Sequence, residues 1–189
     1  MDASRMDVDA FTQREHQIFD LLLRRGAQRV RAADIHRVLE ETGLRHDDPR
    51  LQGMLKPLSR LPGDATFARA EFFDLVRPSL LMLELAATRR LVIPDFPSFR
   101  GEVRSIFDRA LSNRAGAVAE YIPQLQRVDP EQFGLSVCTI DGQRITSGDA
   151  RVPFCVQSVS KPLNYCFALE ELGEEEVHSR MGCEPSGVS

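Results

Sequence analysis

Val152-Pro153-Phe154-Cys155-Val156-Gln157-Ser158-Val159-Ser160-Lys161-Pro162-Leu163 is the stretch on which the reading of this chain turns. Val152 to Val156 reads as a short extended piece, and a helix follows from about Ser158 to Leu172, ended by Gly173. Ser158 and Lys161 thereby form an S-x-x-K arrangement where a strand gives way to a helix. Three residues apart on a helix, both side chains lie on one face, so the amine can reach the hydroxyl. A serine is a weak nucleophile until a neighbouring base takes its proton. A lysine serves as that base only in its neutral form, which burial and the positive end of a helix both favour. Arginine never gives up its proton. The motif is short, and a plain N-cap role would put Ser158 at the same place. Composition adds weight to the chemical reading. Of 24 basic residues only Lys56 and Lys161 are lysines, so a lysine beside this serine stands out, although Lys56 occupies an ordinary helix.

Upstream of this stretch the period of the sequence changes. Phe133 to Ile140 is β-rich, Asp141-Gly142 is a type I′ hairpin signal, and Gln143 to Ser147 reads as the returning strand. Ser98 could cap a helix to about Ser112 with Val103, Ile106, Phe107 and Leu111 inward. A further short helical stretch is expected after Gly116, leading into Tyr121-Ile122-Pro123. LVIPDFPSF (91–99) is extended and proline-punctuated, the expected domain boundary. Downstream, Glu174 to Met181 reads as a short helix ended by Gly182, and Glu184-Pro185-Ser186-Gly187 as a turn.

From about residue 14 to residue 90 the pattern is helical. Ile18, Phe19, Leu22 and Leu23 make one stripe; Ile35, Val38 and Leu39 make a second, closed by Gly43. Asp48-Pro49 is an N-cap and N1 pair for a third helix with Leu51, Met54, Leu55 and Leu58. Pro62-Gly63-Asp64 is a turn. A fourth helix carries Phe72, Phe73, Leu75 and Val76, and Leu80 to Ala87 continues after Pro78. Two helix–loop–helix pairs suggest an EF-hand-like bundle. No stretch supplies the alternating acidic ligands, central Gly and closing Glu of a calcium loop, so the module reads as structural. Residues 1–13 read as a polar, flexible lead-in. No internal repeat is apparent.

The composition, 42% hydrophobic and 28% charged, is that of a globular chain long enough for real cores. A net charge of −4 with no basic block argues against nucleic acid as a partner. No apolar run is long enough to span a bilayer, and MDASRMDVDAFTQRE (1–15) has no signal-peptide core, so no membrane and a cytoplasmic location are expected. Cys138, Cys155, Cys166 and Cys183 form no CxxC pair and have no His at ligand spacing, which favours reduced thiols over disulfides or zinc. His16, His36, His46 and His178 share no spacing suited to a metal or a triad, leaving surface or capping roles. Tyr121 could line a pocket or be a half-buried core tyrosine. Tyr165, four residues after Lys161, could share its face or simply pack. Gln157 by itself is only a polar residue beside the serine.

Gln157-Ser158-x-x-Lys161-Pro162-Leu163, preceded by GDARVPFCV and followed by FALEELG and EPSG, is similar to the glutaminase family. TGLRHDDPRL (42–51), VIPDFPSF (92–99), AEYIPQL (119–125) and LSVCTIDGQR (135–144) resemble its kidney-type branch, in the same order, over nearly the whole chain from about residue 15. The resemblance implies hydrolysis of L-glutamine to L-glutamate and ammonia with no cofactor and no metal. It implies an α + α/β architecture: an EF-hand-like bundle over 14–90, then over 91–189 the first part of a catalytic domain resembling serine β-lactamases and penicillin-binding proteins. By position it makes Ser158 the nucleophile and Lys161 its base, sets Tyr121 against substrate and reacting centre, and gives Gln157 a part in holding glutamine. The longer enzymes of the family are expected as homo-oligomers, dimers or tetramers. The family's later asparagines, glutamate, tyrosines and part of its oxyanion hole have no counterpart before Ser189, so the chain is expected to be a fragment with little activity alone. Two rivals accompany this reading: a truncated, non-catalytic paralogue that docks on or regulates longer glutaminase subunits, and another S-x-x-K hydrolase acting on β-lactams or peptides.

Overall fold

A computed structural model describes residues 3–182, with side chains from residue 13 onward; the turn at 184–187 and Cys183 lie outside these residues. Two compact units are present: Met1–Ala117 with Asp129–Ala150, and Val118–Val128 with Arg151–Ser189.

In the first unit α1 runs Ala3–Leu22, so the backbone is helical well before the first apolar stripe, where a flexible lead-in was expected. Residues 3–13 contain neither Gly nor Pro, so nothing interrupts the helix on its N-terminal side. A two-residue strand β1 (Val30–Arg31) leads into α2 (Ala32–Glu41). A 3₁₀ turn, Pro49–Leu51, precedes α3 (Gln52–Leu58), and the Asp48 side chain caps it by accepting from the Arg50 N–H. Strand β2 (Thr66–Phe67) leads into α4 (Arg69–Val76), and after the turn Arg77–Ser79 comes α5 (Leu80–Ala87). Ile18, Phe19, Leu22, Ile35, Leu39, Leu51, Met54, Leu58, Phe72, Val76 and Leu83 are all buried in one core. The apolar stripes legible in the sequence are its walls.

This core is built from a repeat, contrary to the sequence expectation. β1 and β2 pair antiparallel, Val30 with Phe67. At the same offset Ile18 answers Leu55, Gly26 answers Gly63, Asp34 answers Glu71, Ile35 answers Phe72 and Leu39 answers Val76. The repeat is hidden because at these positions only the Gly26–Gly63 pair keeps residue identity, while elsewhere only apolar or acidic character recurs. In a calcium-binding loop the closing carboxylate grips the ion. Here the carboxylate four residues after each paired strand residue is held by arginine. Asp34 is buried and meets Arg31 at 2.9 Å, Arg24 at 3.0 Å and Arg37 at 3.8 Å. Glu71 takes Arg29, from the opposite loop, at 2.6 Å and the Ala68 N–H at 2.7 Å.

Helix α6 (Phe96–Leu111) starts two residues before the expected cap. Asp95, not Ser98, is the N-cap: its carboxylate accepts from the Ser98 N–H at 3.2 Å, and Pro97 sits in the first turn, where no donor is needed. Phe96 and Phe107 are buried, whereas Ile106 is 52% exposed and Leu111 also faces outward, so the inward face is narrower than expected. Gly43, at φ +76, makes room for it: the Phe96 ring lies 2.1 Å from where a Cβ would stand.

Strands β3 (Gly134–Cys138) and β4 (Arg144–Gly148) pair antiparallel from Gly134–Gly148 to Cys138–Arg144. Their turn is not type I′, because Asp141 does not adopt positive φ. The Gly142 N–H bonds the Thr139 carbonyl at 3.0 Å with Ile140 and Asp141 central, and Gly142 follows at φ +93. Asp141 is held in this form by its neighbours: its carboxylate accepts from Thr139 Oγ and from the Val92 N–H, and its carbonyl accepts from Arg50. Beside it, Gln143 is completely buried. Its Nε2 donates to the carbonyls of Thr42 at 2.9 Å and Ile93 at 3.0 Å, and its Oε1 accepts from the Ile93 N–H at 2.9 Å. One amide thus ties the hairpin to the helical module.

Residues 113–120, which run from the first unit into the second, carry no helix where a short one was expected after Gly116, and in the second unit Leu125–Arg127 makes a 3₁₀ turn. Between Gly116 and Pro123 too few residues remain to nucleate a helix without packing. Val152 to Val156 is not a strand and pairs with nothing among the described residues. The turn Gln157–Ser160 leads directly into α7 (Lys161–Leu172), and Gly173, at φ +79, separates it from α8 (Glu174–Arg180). Among the described residues no helix is long and apolar enough to cross a membrane.

Replacing Gln143 by Leu strands three backbone partners and is expected to destabilise the first unit by about 3 kcal/mol, measured by denaturant unfolding. The Arg31 guanidinium, helped by Arg24 and opposed by burial, holds the Asp34 carboxyl below its usual value of 3.8. A depressed folded-state value means stability that is present above that usual value and lost as pH falls through the folded one. Asp34→Asn is expected to cost about 2 kcal/mol at neutral pH and to flatten the acid limb of stability against pH.

Candidate active site

The S-x-x-K residues lie on a tighter turn than the sequence suggested. Ser158 sits in the 3₁₀ turn and Lys161 is the first residue of α7; the Lys161 N–H bonds the Ser158 carbonyl. In a 3₁₀ turn residues three apart eclipse one another, so the two side chains still project on one side. The turn is pinned by Val159 N–H to the Val156 carbonyl at 3.1 Å and by Ser160 Oγ donating to the Gln157 carbonyl at 2.9 Å.

Gln157 has φ +49, a left-handed conformation that a non-glycine residue adopts at a cost. This kink immediately before Ser158 replaces the expected strand end. The Gln157 side chain turns back on the chain, with Nε2 3.2 Å from Cys155 Sγ.

Ser158, Lys161 and Gln157 are exposed, so the burial that would favour a neutral lysine is not supplied by the described residues. Tyr121 is 75% exposed. Gln157, Ser158 and Lys161 are neighbours along one turn, and Tyr121 makes no hydrogen bond to Ser158 or Lys161 among the described residues. Helix α7 has no buried residue, and Val159, Leu163 and Phe167, four apart, are 68%, 60% and 59% exposed. They form one apolar stripe that starts between the serine and the lysine.

His46 is exposed, as expected of a surface residue, while His16, His36 and His178 are half-buried and make side-chain contacts. His36 Nδ1 meets His46 Nε2 at 3.3 Å, and burial, then His46, push His36 below its ordinary value. His16 meets Arg69 at 2.8 Å. In the second unit, Tyr165 and His178 join α7 to α8, the hydroxyl 2.7 Å from Nε2 with the rings stacked. His178 Nδ1 faces Glu174 Oε1 at 3.7 Å. This cluster was missed because its members meet only when the chain reverses at Gly173. Cys138, Cys155 and Cys166 are free and exposed.

The fold and the site define a protein in which a calcium-motif-free, EF-hand-like pair precedes a serine–lysine turn at the head of a helix. Comparison with known proteins matches two segments of the chain. An EF-hand domain model matches residues 14–94, and the glutaminase model matches residues 116–189. The liver-isoform mitochondrial glutaminase of Mus musculus is 38% identical over 167 residues, covering 86% of this chain and 28% of that protein. Glutaminase 2 of Bradyrhizobium diazoefficiens is 40% identical over 111 residues, covering 59% of this chain and 18% of that protein. The glutaminase of Agrobacterium fabrum is 48% identical over 91 residues, 48% of this chain and 29% of that protein. Residues 116–189 are thus matched by the glutaminase model, and the similarity to the Mus musculus glutaminase extends over 86% of the chain. The chain spans under a third of the length of these relatives.

The strained φ at Gln157 gives a direct expectation. Gln157→Gly relieves the left-handed conformation and leaves thermal stability within about 1 kcal/mol of the parent, whereas Gln157→Val lowers it by more.

Proposed function

We propose that this protein carries the nucleophile portion of a glutaminase that hydrolyses the side-chain amide of L-glutamine through an acyl-enzyme on Ser158. The observation that carries the reading is the placement of Ser158 in a 3₁₀ turn three residues before Lys161 at the head of α7, inside the segment matched by the glutaminase model. Lys161 takes the hydroxyl proton as Ser158 Oγ attacks the amide carbon. The proton is returned to the departing nitrogen, which leaves as ammonia, and water then cleaves the ester to release glutamate. Gln157 and Tyr121 act in holding glutamine. The catalytic domain that begins here takes a β-lactamase-like form, preceded by the EF-hand-like module. Homo-oligomers are the working form of the longer enzyme.

Sustained turnover requires further protein packed on Val159, Leu163 and Phe167, because an apolar stripe left in water is a surface awaiting a partner and Lys161 lacks shielding without it. The same stripe is what a second reading would use: a chain that docks on longer glutaminase subunits without chemistry of its own.

A chloroketone analogue of glutamine tests the site on the 189-residue chain, with peptide mass spectrometry locating the adduct and glutamate release from glutamine followed in parallel. The expected result is labelling at Ser158, lost in Ser158→Ala and slowed by about 10²-fold or more in Lys161→Arg, with little sustained release. Labelling of Ser158 by a penicillin but not by the glutamine analogue would assign the site to another S-x-x-K hydrolase. No labelling, together with co-purification with a longer glutaminase, would establish the docking reading instead.

A further inference from the structure

Helix α7 begins with Lys161, yet it buries none of its own residues. Its placement therefore rests on few contacts. Among the described residues of the second unit, the Tyr165–His178 contact at 2.7 Å is the one side-chain hydrogen bond that joins two different helices. The two rings also stack, with centroids 6.1 Å apart and planes 21° from parallel. Val177, next to His178, is the buried residue of α8. The reversal at Gly173 lays α8 back along α7, and this contact sets the rotation at which the two meet.

Tyr165 follows Lys161 by four residues, one helical turn, so the two leave the same face of α7. A histidine ring nitrogen can accept from or donate to the hydroxyl, so the 2.7 Å contact between Tyr165 and His178 is a hydrogen bond in either tautomer. Through it the phenol anchors the turn that follows Lys161. A tyrosine merely filling space would need no such partner, because its ring could pack with its hydroxyl in water.

We propose that Tyr165, anchored by His178, is a positioning residue for Lys161. It fixes the first turn of α7 so that the amine stays over the Ser158 side of the preceding 3₁₀ turn. The inference rests on the serine–lysine reading above but is tested separately from it.

The chain contains only two lysines, so lysine labelled with ¹³C at Cε gives two resonances, Lys161 and Lys56. Lys56 lies in the other unit and serves as the folding control. Tyr165→Phe removes only the hydroxyl; His178→Leu removes its partner; His178→Gln restores a partner through its side-chain amide. The expected result is that the Lys161 resonance moves and sharpens in Tyr165→Phe and His178→Leu, with a changed titration. Lys56 stays in place, and His178→Gln returns Lys161 close to the parent position. Chloroketone labelling of Ser158 falls in parallel, by up to about 100-fold in the first two variants, the scale on which small misplacements of catalytic groups act. A Lys161 resonance and titration identical to the parent in both Tyr165→Phe and His178→Leu would overturn the proposal. So would an equal change in His178→Gln, which would mark the pair as a packing contact only. A Lys161 response without any Ser158 labelling would leave the anchor standing and sink the amide-hydrolysis reading. Labelling of Ser158 with an unresponsive Lys161 would do the reverse.

Discussion

The first unit depends on the side chain of Gln143. Its amide reaches three backbone groups on two other segments: the carbonyl of Thr42, at the end of α2, and both the carbonyl and the N–H of Ile93. No apolar residue could replace it, because these backbone groups would then be buried without partners. Backbone contacts converge beside it: Arg144 N–H to the Gly43 carbonyl, and the bridge between Leu44 and Gln143. Arg50 adds a charged bond to the Asp141 carbonyl. The hairpin consequently belongs to the same compact unit as the helical module, although the segment between them contains the 16-residue helix α6.

The helical module meets a problem that its architecture creates. Two helix–strand–helix units face each other through a two-residue ladder, and each brings a carboxylate to the loop end. In the absence of ion-binding loops those carboxylates need other cations, and arginine supplies them. Arg31, Arg24 and Arg37 surround Asp34, while Arg29 crosses from one loop to Glu71 of the other. A guanidinium can satisfy a carboxylate bidentately and keeps its charge at any physiological pH, which makes it a permanent substitute. The strong preference of this chain for arginine over lysine serves the module directly.

The second unit is organised on a different principle. It has hardly any core of its own, Val177 being its buried apolar residue among those described. Order there comes from local hydrogen bonding: a 3₁₀ turn run straight into α7, a positive φ at Gln157, and one polar clasp between α7 and α8. Local bonding is enough to hold a serine and a lysine on one side of a turn. It is not enough to cover the apolar stripe that grows from the same turn.

The sequence by itself determined the helices of the first unit, because their apolar residues recur at three and four positions and so mark the buried face whatever the partner. It also determined that Ser158 and Lys161 would share a side, since a spacing of three does so in an α-helix and in a 3₁₀ turn alike. Its errors fell where the outcome depends on distant groups. The hairpin turn took its form from Arg50 and Val92, far along the chain; α6 opened at Asp95 because Phe96 had a cavity prepared by Gly43; and the residues from 113 to 120 found no surface to fold against. The pairing of β1 with β2, the burial of Gln143 and the meeting of Tyr165 with His178 were decided by tertiary structure alone. Each needs two segments brought together by a chain reversal, and a local pattern encodes which face a residue occupies, not which residue will stand opposite.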